Sequence, residues 1–589
     1  MRWLIREAPG SAVQQLAEAL HLSPLLSRLL ILRGLQDPAQ ADRFLNPNLA
    51  DLHNPFDMLG MDAAVRRIFQ AVERREKILI YGDYDVDGSL AVVVLRMALS
   101  LIGANADYHI PHRIRDGYGM REEVIERASQ ENFSLIVSVD TGIRAFPVVE
   151  RARQLGVDCI ITDHHLPLDS VSDIEDSSIP AINPSQVQIP LAAAVLNPKQ
   201  PNCTYPDKNL SGVGVAFKLA QALLQSHPEQ SRRMETLLPS FLKLVCIGTI
   251  ADSVPLVGEN RVIARLGLEG LANPVNHGLR ALLDVSGLTS RKITASDVGF
   301  RLAPRLNAAG RMESAEDVIN LFLNAGADSA QQIALKLNRL NSDRQRAEQN
   351  ILADLETRYQ QRPELFSDPV IVLEGKNWHR GIIGIVASRI MERFGRPTLV
   401  ISCEEAAGHG SGRSFEAFPL LEALTEAGDL FDRFGGHACA AGFVIPVERI
   451  PLLRQRLNQF AARRPQTDNL EPEMLIDAEV ALTDLSTEEV YQLEKLGPHG
   501  YGNPQPVFVA RNTGLSTPPR LLQEKHLKLQ LVQQGCYRDA IGWRKGAWFD
   551  QLSKQTTGID LAFHVSLNHF QNRTQTQLEL LDLKFSSSS

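Results

Sequence analysis

The chain has 589 residues, 44% of them hydrophobic and 22% charged, with a formal net charge of −8. This is the composition of a soluble globular protein long enough for three or four domains, so one function for the whole chain is not guaranteed. The acidic total does not advertise a nucleic-acid binder, although a local positive groove can coexist with it. Six cysteines lie far apart with no C-x-x-C pair, which points away from disulfides or a zinc site and towards reduced thiols in a cytoplasmic protein. The N-terminus, Met1-Arg-Trp-Leu-Ile-Arg-Glu7, is broken by charge too early for a signal peptide, and no apolar run reads as long enough to span a membrane.

Residues 1–70 read as an amphipathic helical annex to the domain that follows, with Ser23-Pro24 and Asp37-Pro38 as helix starts. From Lys77 apolar strand-like runs alternate with helical stretches, near 77–81, 107–111, 134–139 and 157–162. That is the βαβα signature of a mostly parallel sheet covered on both faces. The first run, Lys77-Ile-Leu-Ile-Tyr81, leads into Gly-Asp83-Tyr-Asp85-Val-Asp87-Gly88, so three carboxylates sit at the carboxyl end of a strand, in the crevice where such sheets bind ligands. Their mutual repulsion calls for a hard divalent cation. A calcium-binding EF-hand loop would need Glu where Val94 stands, and a helix where this chain has a strand.

Three further element ends carry ligand-type side chains. Leu135-Ile-Val-Ser-Val-Asp140-Thr-Gly142 ends in Asp140, Cys159-Ile-Ile-Thr-Asp163-His164-His165 in an acid and two histidines, and Leu244-Val-Cys-Ile-Gly-Thr-Ile-Ala-Asp252 in another acid. One such end would be unremarkable as a turn or a satisfied core residue. Carboxylates joined by imidazole suit Mn²⁺ or Mg²⁺. Two ions bridged by a shared Asp, about 3.5–4 Å apart, form a clamp used for phosphoryl hydrolysis.

This set resembles the DHH phosphoesterase superfamily, and within it the bacterial RecJ single-strand exonucleases. Arg33-Gly-Leu-Gln-Asp-Pro38, His109-Ile-Pro-His-Arg113, Asp116-Gly-Tyr-Gly119, Ser211-Gly-Val-Gly-Val-Ala-Phe217 and Pro304-Arg-Leu-Asn-Ala-Ala-Gly-Arg311 extend the likeness over almost the whole chain. The resemblance implies two metal ions held by Asp83, Asp85, Asp87, Asp140, His164 and Asp252, with Asp85, Asp140, His164 and His165 catalytic. It implies that Asp163 orients the histidines, and that Arg113, Arg305 and Arg311 face phosphate. Leu90 stands where the family usually has a hydroxyl residue, Thr141 where it often has Cys, and residues 166–190 read as a longer exposed loop.

From Ala327 to Gln361 strong helix formers continue without Gly or Pro, which reads as a rigid helical strut. A second α/β domain follows from Asp368, carrying Gly410-Ser411-Gly-Arg413-Ser414 and Phe434-Gly-Gly436-His437. Glycines there let backbone N–H groups approach a phosphate, and Arg413 can bind it bidentately. The pair resembles the DHH-associated substrate domain, which implies Ser411, Arg413, Ser414, Gly436 and His437 as substrate contacts.

From Glu471 short alternating runs suggest a small β-barrel that resembles the OB domain of the same family. Lys528, Arg544, Lys545, Trp543 and Trp548 would give it a surface suited to single strands. The expected division is thus a helical annex (1–70), a DHH domain (71–326), a connecting helix (327–364), a substrate domain (365–465) and an OB domain (466–585), with a disordered Ser tail at 586–589. The resemblance implies 5′-to-3′ degradation of single-stranded DNA to 5′-mononucleotides in recombination and repair, alongside single-strand-binding protein and a repair helicase. Its rivals are a phosphodiesterase for short oligonucleotides or cyclic dinucleotides, and a non-catalytic scaffold that would have lost its ligands.

Overall fold

The computed structural model describes residues 1–117, 119–168, 189–324, 326–415, 417–437, 439–464, 473–570 and 573–585. Most of the loop expected at 166–190 and the whole Ser tail at 586–589 lie outside these residues. The first sheet has five parallel strands in the spatial order Asn105–His109, Lys77–Tyr81, Phe133–Val139, Asp158–Thr162, Ala194–Leu196. The three-residue outer strand at Ala194 is too short to show a period in the sequence. Helices Val86–Leu101 and Gly212–Ser226 cover one face in a large apolar core, while Glu122–Gln130 and Phe146–Gln154 cover the other. All strands point the same way, so their carboxyl ends, with Asp83, Asp140 and Asp163, meet on one edge.

Helix Met234–Ala251 lies in the same core, beside Val86–Leu101 and Gly258–Leu271. By length and composition the segment Ser231–Ala251 could cross a membrane, contrary to the sequence expectation. Its packing inside the first domain accounts for its apolar character.

The helix Ala327–Gln361 runs uninterrupted for 35 residues. Its first half buries Ala330, Ala334 and Leu337 in the core of the first domain, and its second half buries Ile351 and Leu355 in the next one. It is therefore packed at both ends, and its stiffness is transmitted to both domains. The second domain holds a five-stranded sheet, Arg433–His437, Ala440–Pro446, Ala407–Arg413, Thr398–Glu404 and Ile371–Lys376, of which only the last two strands pair in parallel.

The C-terminal strands close into a barrel. Phe508–Leu515 pairs with Ile559–Phe570, then Arg573–Phe585, Cys536–Gly542 and His526–Gln533 follow, and the last returns to the first through Gly514 opposite Val532. Closure removes the unpaired edges that a small open sheet would expose.

The N-terminal segment departs from the expected annex. Ser23 and Asp37 do cap helices Pro24–Ile31 and Pro38–Leu45, accepting from Leu26 N at 3.1 Å and Gln40 N at 2.8 Å. These helices, however, share a core with the barrel, through Leu26, Leu29, Leu30 and Leu45 against Leu482, Leu493, Phe508 and Phe563. Strand Arg2–Ile5 pairs in parallel with Glu473–Ile476. Helix Met61–Glu73, with Leu52 and Met58 before it, packs on the first domain instead. Amphipathic periodicity shows that a face is buried, not which partner buries it.

Arg261 ties these pieces together. Its buried guanidinium donates to the carbonyls of Phe44, Lys495, Leu496 and Gly497 at 2.7–2.9 Å and stacks on Phe44 at 3.5 Å. One cation from the first domain thus joins the N-terminal helices to the barrel. Arg261→Met leaves four acceptors without their charged donor, and should lower stability by about 3–5 kcal/mol. Urea unfolding followed by tryptophan fluorescence should show an earlier midpoint; an unchanged midpoint would mean that the junction is held elsewhere.

Candidate active site

At the sheet's carboxyl edge the acids and imidazoles converge. Among the described residues three sets have ligand atoms within 4.8 Å of one another: Asp83, Asp85 and Asp140; Asp87, His164 and Asp252; and Asp140, His164 and His165. His164 Nε2 lies 3.3 Å from Asp140 Oδ1 and 3.7 Å from Asp252 Oδ2. Asp85 caps the helix that starts at Val86, accepting from Gly88 N at 3.0 Å. Asp87 accepts from Gly212 N at 2.6 Å and Val213 N at 3.0 Å, the open amides of a second helix start. A Cβ on Gly212 would sit 2.3 Å from Asp140 Oδ1, so only glycine admits this approach. Asp140 itself adopts φ +60°, a strained conformation for a residue with a side chain.

Asp163 takes no part in these sets. Its oxygens accept from the amides of Ile143, His164 and His165 and from His165 Nδ1 at 2.7 Å, which fixes the His165 ring and its proton. Burial opposes ionisation of Asp163, but the His165 hydrogen bond and charge outweigh it and hold its carboxyl at about 2. The other acids behave in the opposite way. Burial, and then Asp85, pushes Asp83 to about 8 and Asp87 to about 7. Burial and Asp87 push Asp252 to about 9 and raise Asp140 well above the carboxylate range. His164 is lowered to about 3 by burial and then by His165, so it offers a neutral ring.

Buried oxygens of Asp83, Asp140 and Asp252 have no hydrogen-bond donor among the described residues. Acceptor atoms crowded together without donors, beside a neutral imidazole, are a donor set for hard divalent cations. The residues present therefore fit a two-ion centre.

Above this edge stand cations from three elements. Arg113 stacks on Tyr84 at 4.0 Å. Arg311 reaches across to the second domain and donates to Gly381 O at 3.1 Å. Burial and the charges of Arg113, Arg344 and Arg413 depress its guanidinium to about 10. Arg413 is lowered by burial and then by Arg113, and donates to Ser411 Oγ at 3.0 Å. A group of guanidiniums that destabilise one another is primed for an anion. His437 of the second domain lies within electrostatic reach of His165 and Arg144 of the first.

Comparison with known proteins matches residues 77–249 to the DHH family N-terminal domain, 367–463 to the DHHA1 domain and 476–582 to the RecJ OB domain. The single-stranded-DNA-specific exonuclease RecJ of Bacillus subtilis is 37% identical over 585 residues, covering 99% of this chain and 70% of its own. Its counterpart in Escherichia coli is 32% identical, with 95% of each chain covered. The chain belongs to the RecJ family. The crystal structure of RecJ in complex with Mn²⁺ from Thermus thermophilus superposes with a TM-score of 0.80 at 29% identity, over 100% of this chain and 80% of that one.

Against this RecJ frame, several sequence-derived residues stand differently. Arg305 donates to Asn338 Oδ1 at 3.0 Å and to Arg301 O at 2.6 Å, so it fastens the long helix rather than joining the cations around Arg311. Ser414 is buried, and its hydroxyl donates to Phe418 O at 2.9 Å. The glycine motifs lie in strands Ala407–Arg413 and Arg433–His437. Gly410 leaves room for Phe443, and Gly436 takes φ +152° beside Ala440 O. In the barrel Trp543 and Lys528 are exposed, whereas Trp548 packs against the core with Lys545 over its ring at 4.6 Å. Arg344 of the long helix also bears on Arg311, and nothing in a long polar helix marks which arginine turns inward.

The raised acids set a sign for stability without metal. A folded carboxyl at about 7, 8 or 9 binds protons that the unfolded chain, near 3.9, has already released. Stability is then fully present at acid pH and lost as pH rises through those values. With EDTA the melting temperature should fall between about pH 5 and about pH 9, and Mn²⁺ should restore most at the alkaline end. A metal-induced shift independent of pH would contradict this electrostatic account.

Proposed function

We propose that this chain is a metal-dependent exonuclease that degrades single-stranded DNA from the 5′ end to 5′-mononucleotides, in recombination and repair. One observation carries the reading. Asp140 and His164 each belong to two ligand sets, directly below a cationic group drawn from both α/β domains. Asp83, Asp85, Asp87, Asp140, His164 and Asp252 would hold two Mn²⁺ or Mg²⁺ ions. When bound, such ions supply charge neutralisation and Lewis-acid polarisation at the phosphate.

The chain's own residues do the rest. Arg113 and Arg311 hold the oxygens of the scissile phosphate, while Ser411, Arg413, Gly436 and His437 take the terminal phosphate and so fix which end enters. His165 carries its proton on Nδ1 towards Asp163. Burial disfavours its charged form, but the Asp163 hydrogen bond and charge, with Asp87 and Asp83, raise its pKa overall. It is then suited to stabilise charge developing on the phosphate or the leaving oxygen. The barrel face bearing Lys528, Arg544 and Trp543 would steady the incoming strand. Single-strand-binding protein and a repair helicase would be partners in a cytoplasmic setting.

Strands labelled at either terminus, with the 5′ end free or blocked, test this with Mn²⁺ or Mg²⁺. Mononucleotides should leave from the 5′ end, and Asp140→Ala should cost at least about 100-fold in rate. Release from the 3′ end, or cleavage confined to dinucleotides, would overturn it. Asp163→Asn keeps the shape beside His165 but removes the charge, and should lower kcat about 10- to 100-fold with a smaller change in KM. The His165 pKa, followed by NMR, should fall in the same variant.

A further inference from the structure

A groove of about 1240 Å³ runs between the N-terminal helices and the start of the barrel. None of its lining residues belongs to the proposed ion site or to the cations around Arg311. Pockets for small molecules hold roughly 300–1,000 Å³, so this groove has room for a segment of polypeptide.

One wall is the helix Gly10–Leu20, which buries only Leu16 completely. Its Gly10, Val13 and Ala17 recur along the groove at helical spacing. Opposite them stand Leu22 and Leu25, at the turn into the next helix, and Val480, which follows the strand Ala478–Glu479. Ile5, itself 39% exposed, adds to this lining. Val13, Leu22 and Leu25 are only partly buried against the shared core, so apolar surface is left open along the helix. A contiguous apolar surface with a polar rim marks a place where another protein packs. Small side chains at Gly10 and Ala17 leave room for a second helix beside the first.

The charge on the rim decides what kind of segment fits. Four carboxylates line the groove, Glu18, Glu479, Asp484 and Glu489, against one cation, Arg28. Arg28 is already engaged, since its guanidinium donates to Asp477 O at 2.9 Å and to Arg6 O. Glu479 is paired with Arg511 at 2.9 Å. The other three carboxylates accept only from neutral donors: Glu18 from Gln14 Nε2 at 2.9 Å, Asp484 from Ala481 N at 2.9 Å and Glu489 from Ser23 Oγ at 2.6 Å. Neutral donors leave the negative charge in place.

We infer that this groove docks a basic amphipathic helix of a partner protein. Its apolar side chains would lie against Val13, Leu22, Leu25 and Val480, and its lysines or arginines would meet Glu18, Asp484 and Glu489. An acidic segment would face the same three carboxylates and be repelled. Because Arg261 fastens the N-terminal helices and the barrel to the first domain, a partner docked here is held at a fixed place while the catalytic edge stays open. The inference goes beyond the exonuclease reading and does not depend on it.

The test uses the full chain and a fluorescein-labelled helical peptide of about 18 residues, with Leu along one face and Lys on both flanks. One control peptide has Glu in place of Lys. A second has the basic composition scrambled so that no apolar face forms. Anisotropy should show saturable binding of the basic helix, weakened by salt, and at least about tenfold weaker binding of both controls. Ala17→Trp, which fills the groove, and Glu18→Lys, which reverses a rim charge, should each weaken the basic helix by at least about tenfold. Circular dichroism and the melting temperature should stay unchanged in both variants. The bound peptide should slow hydrogen exchange along Gly10–Leu20 and residues 478–489. Equal binding of the acidic or scrambled peptide, protection elsewhere, or no binding by any of the three would overturn the inference. So would a dimer of the full chain in sedimentation that Ala17→Trp dissociates, because the groove would then belong to a second copy.

Discussion

Like charges packed at the end of a parallel sheet are the constraint on which the structure depends. Five carboxylates of the proposed ion site and a neutral imidazole occupy a volume from which most water is excluded, and the protein supplies few donors of its own. It meets part of the repulsion with two helix starts, one capped by Asp85 and one turned onto Asp87. The remainder is left for cations. The same field gives neighbouring groups opposite characters, with Asp163 kept ionised by its histidine while Asp83 and Asp252 resist ionisation.

The rest of the molecule fixes what approaches that edge. The long helix shares a core with each α/β domain, so Arg113 and Arg311 on one side and Arg413 on the other meet at a set separation. The barrel is joined to the catalytic body through Arg261 and through the pairing of Leu256 with Tyr501. The N-terminal helices, packed on the barrel, complete this junction. Stiffness here has a chemical purpose, because electrostatic catalysis loses its advantage when the charged groups can relax away.

Much of this was legible in the sequence because its signals are local. Strand runs near 77–81, 134–139 and 157–162 stop at Asp or His, and a parallel sheet brings such ends to one edge whatever the loops between them do. The helix at 327–361 carries its own continuous signature. What escaped depends on distant partners. Amphipathic helices at 10–45 do not encode that they cover the barrel. Nothing in the glycines near 410 and 436 shows that they lie in strands; the neighbouring strand and Phe443 decide it. Arg305 and Arg344 are equally charged in sequence, yet one binds Asn338 while the other keeps a buried donor free.

The central claim, that the crowded acids form one centre for two cations, is tested most directly by Mn²⁺ anomalous diffraction from crystals of the full chain. The account predicts two peaks about 3.5–4 Å apart, one among Asp83, Asp85 and Asp140 and the other among Asp87, His164 and Asp252. Asp140→Ala should remove or displace at least one of them. A single peak away from Asp140, or none at saturating Mn²⁺, would contradict it.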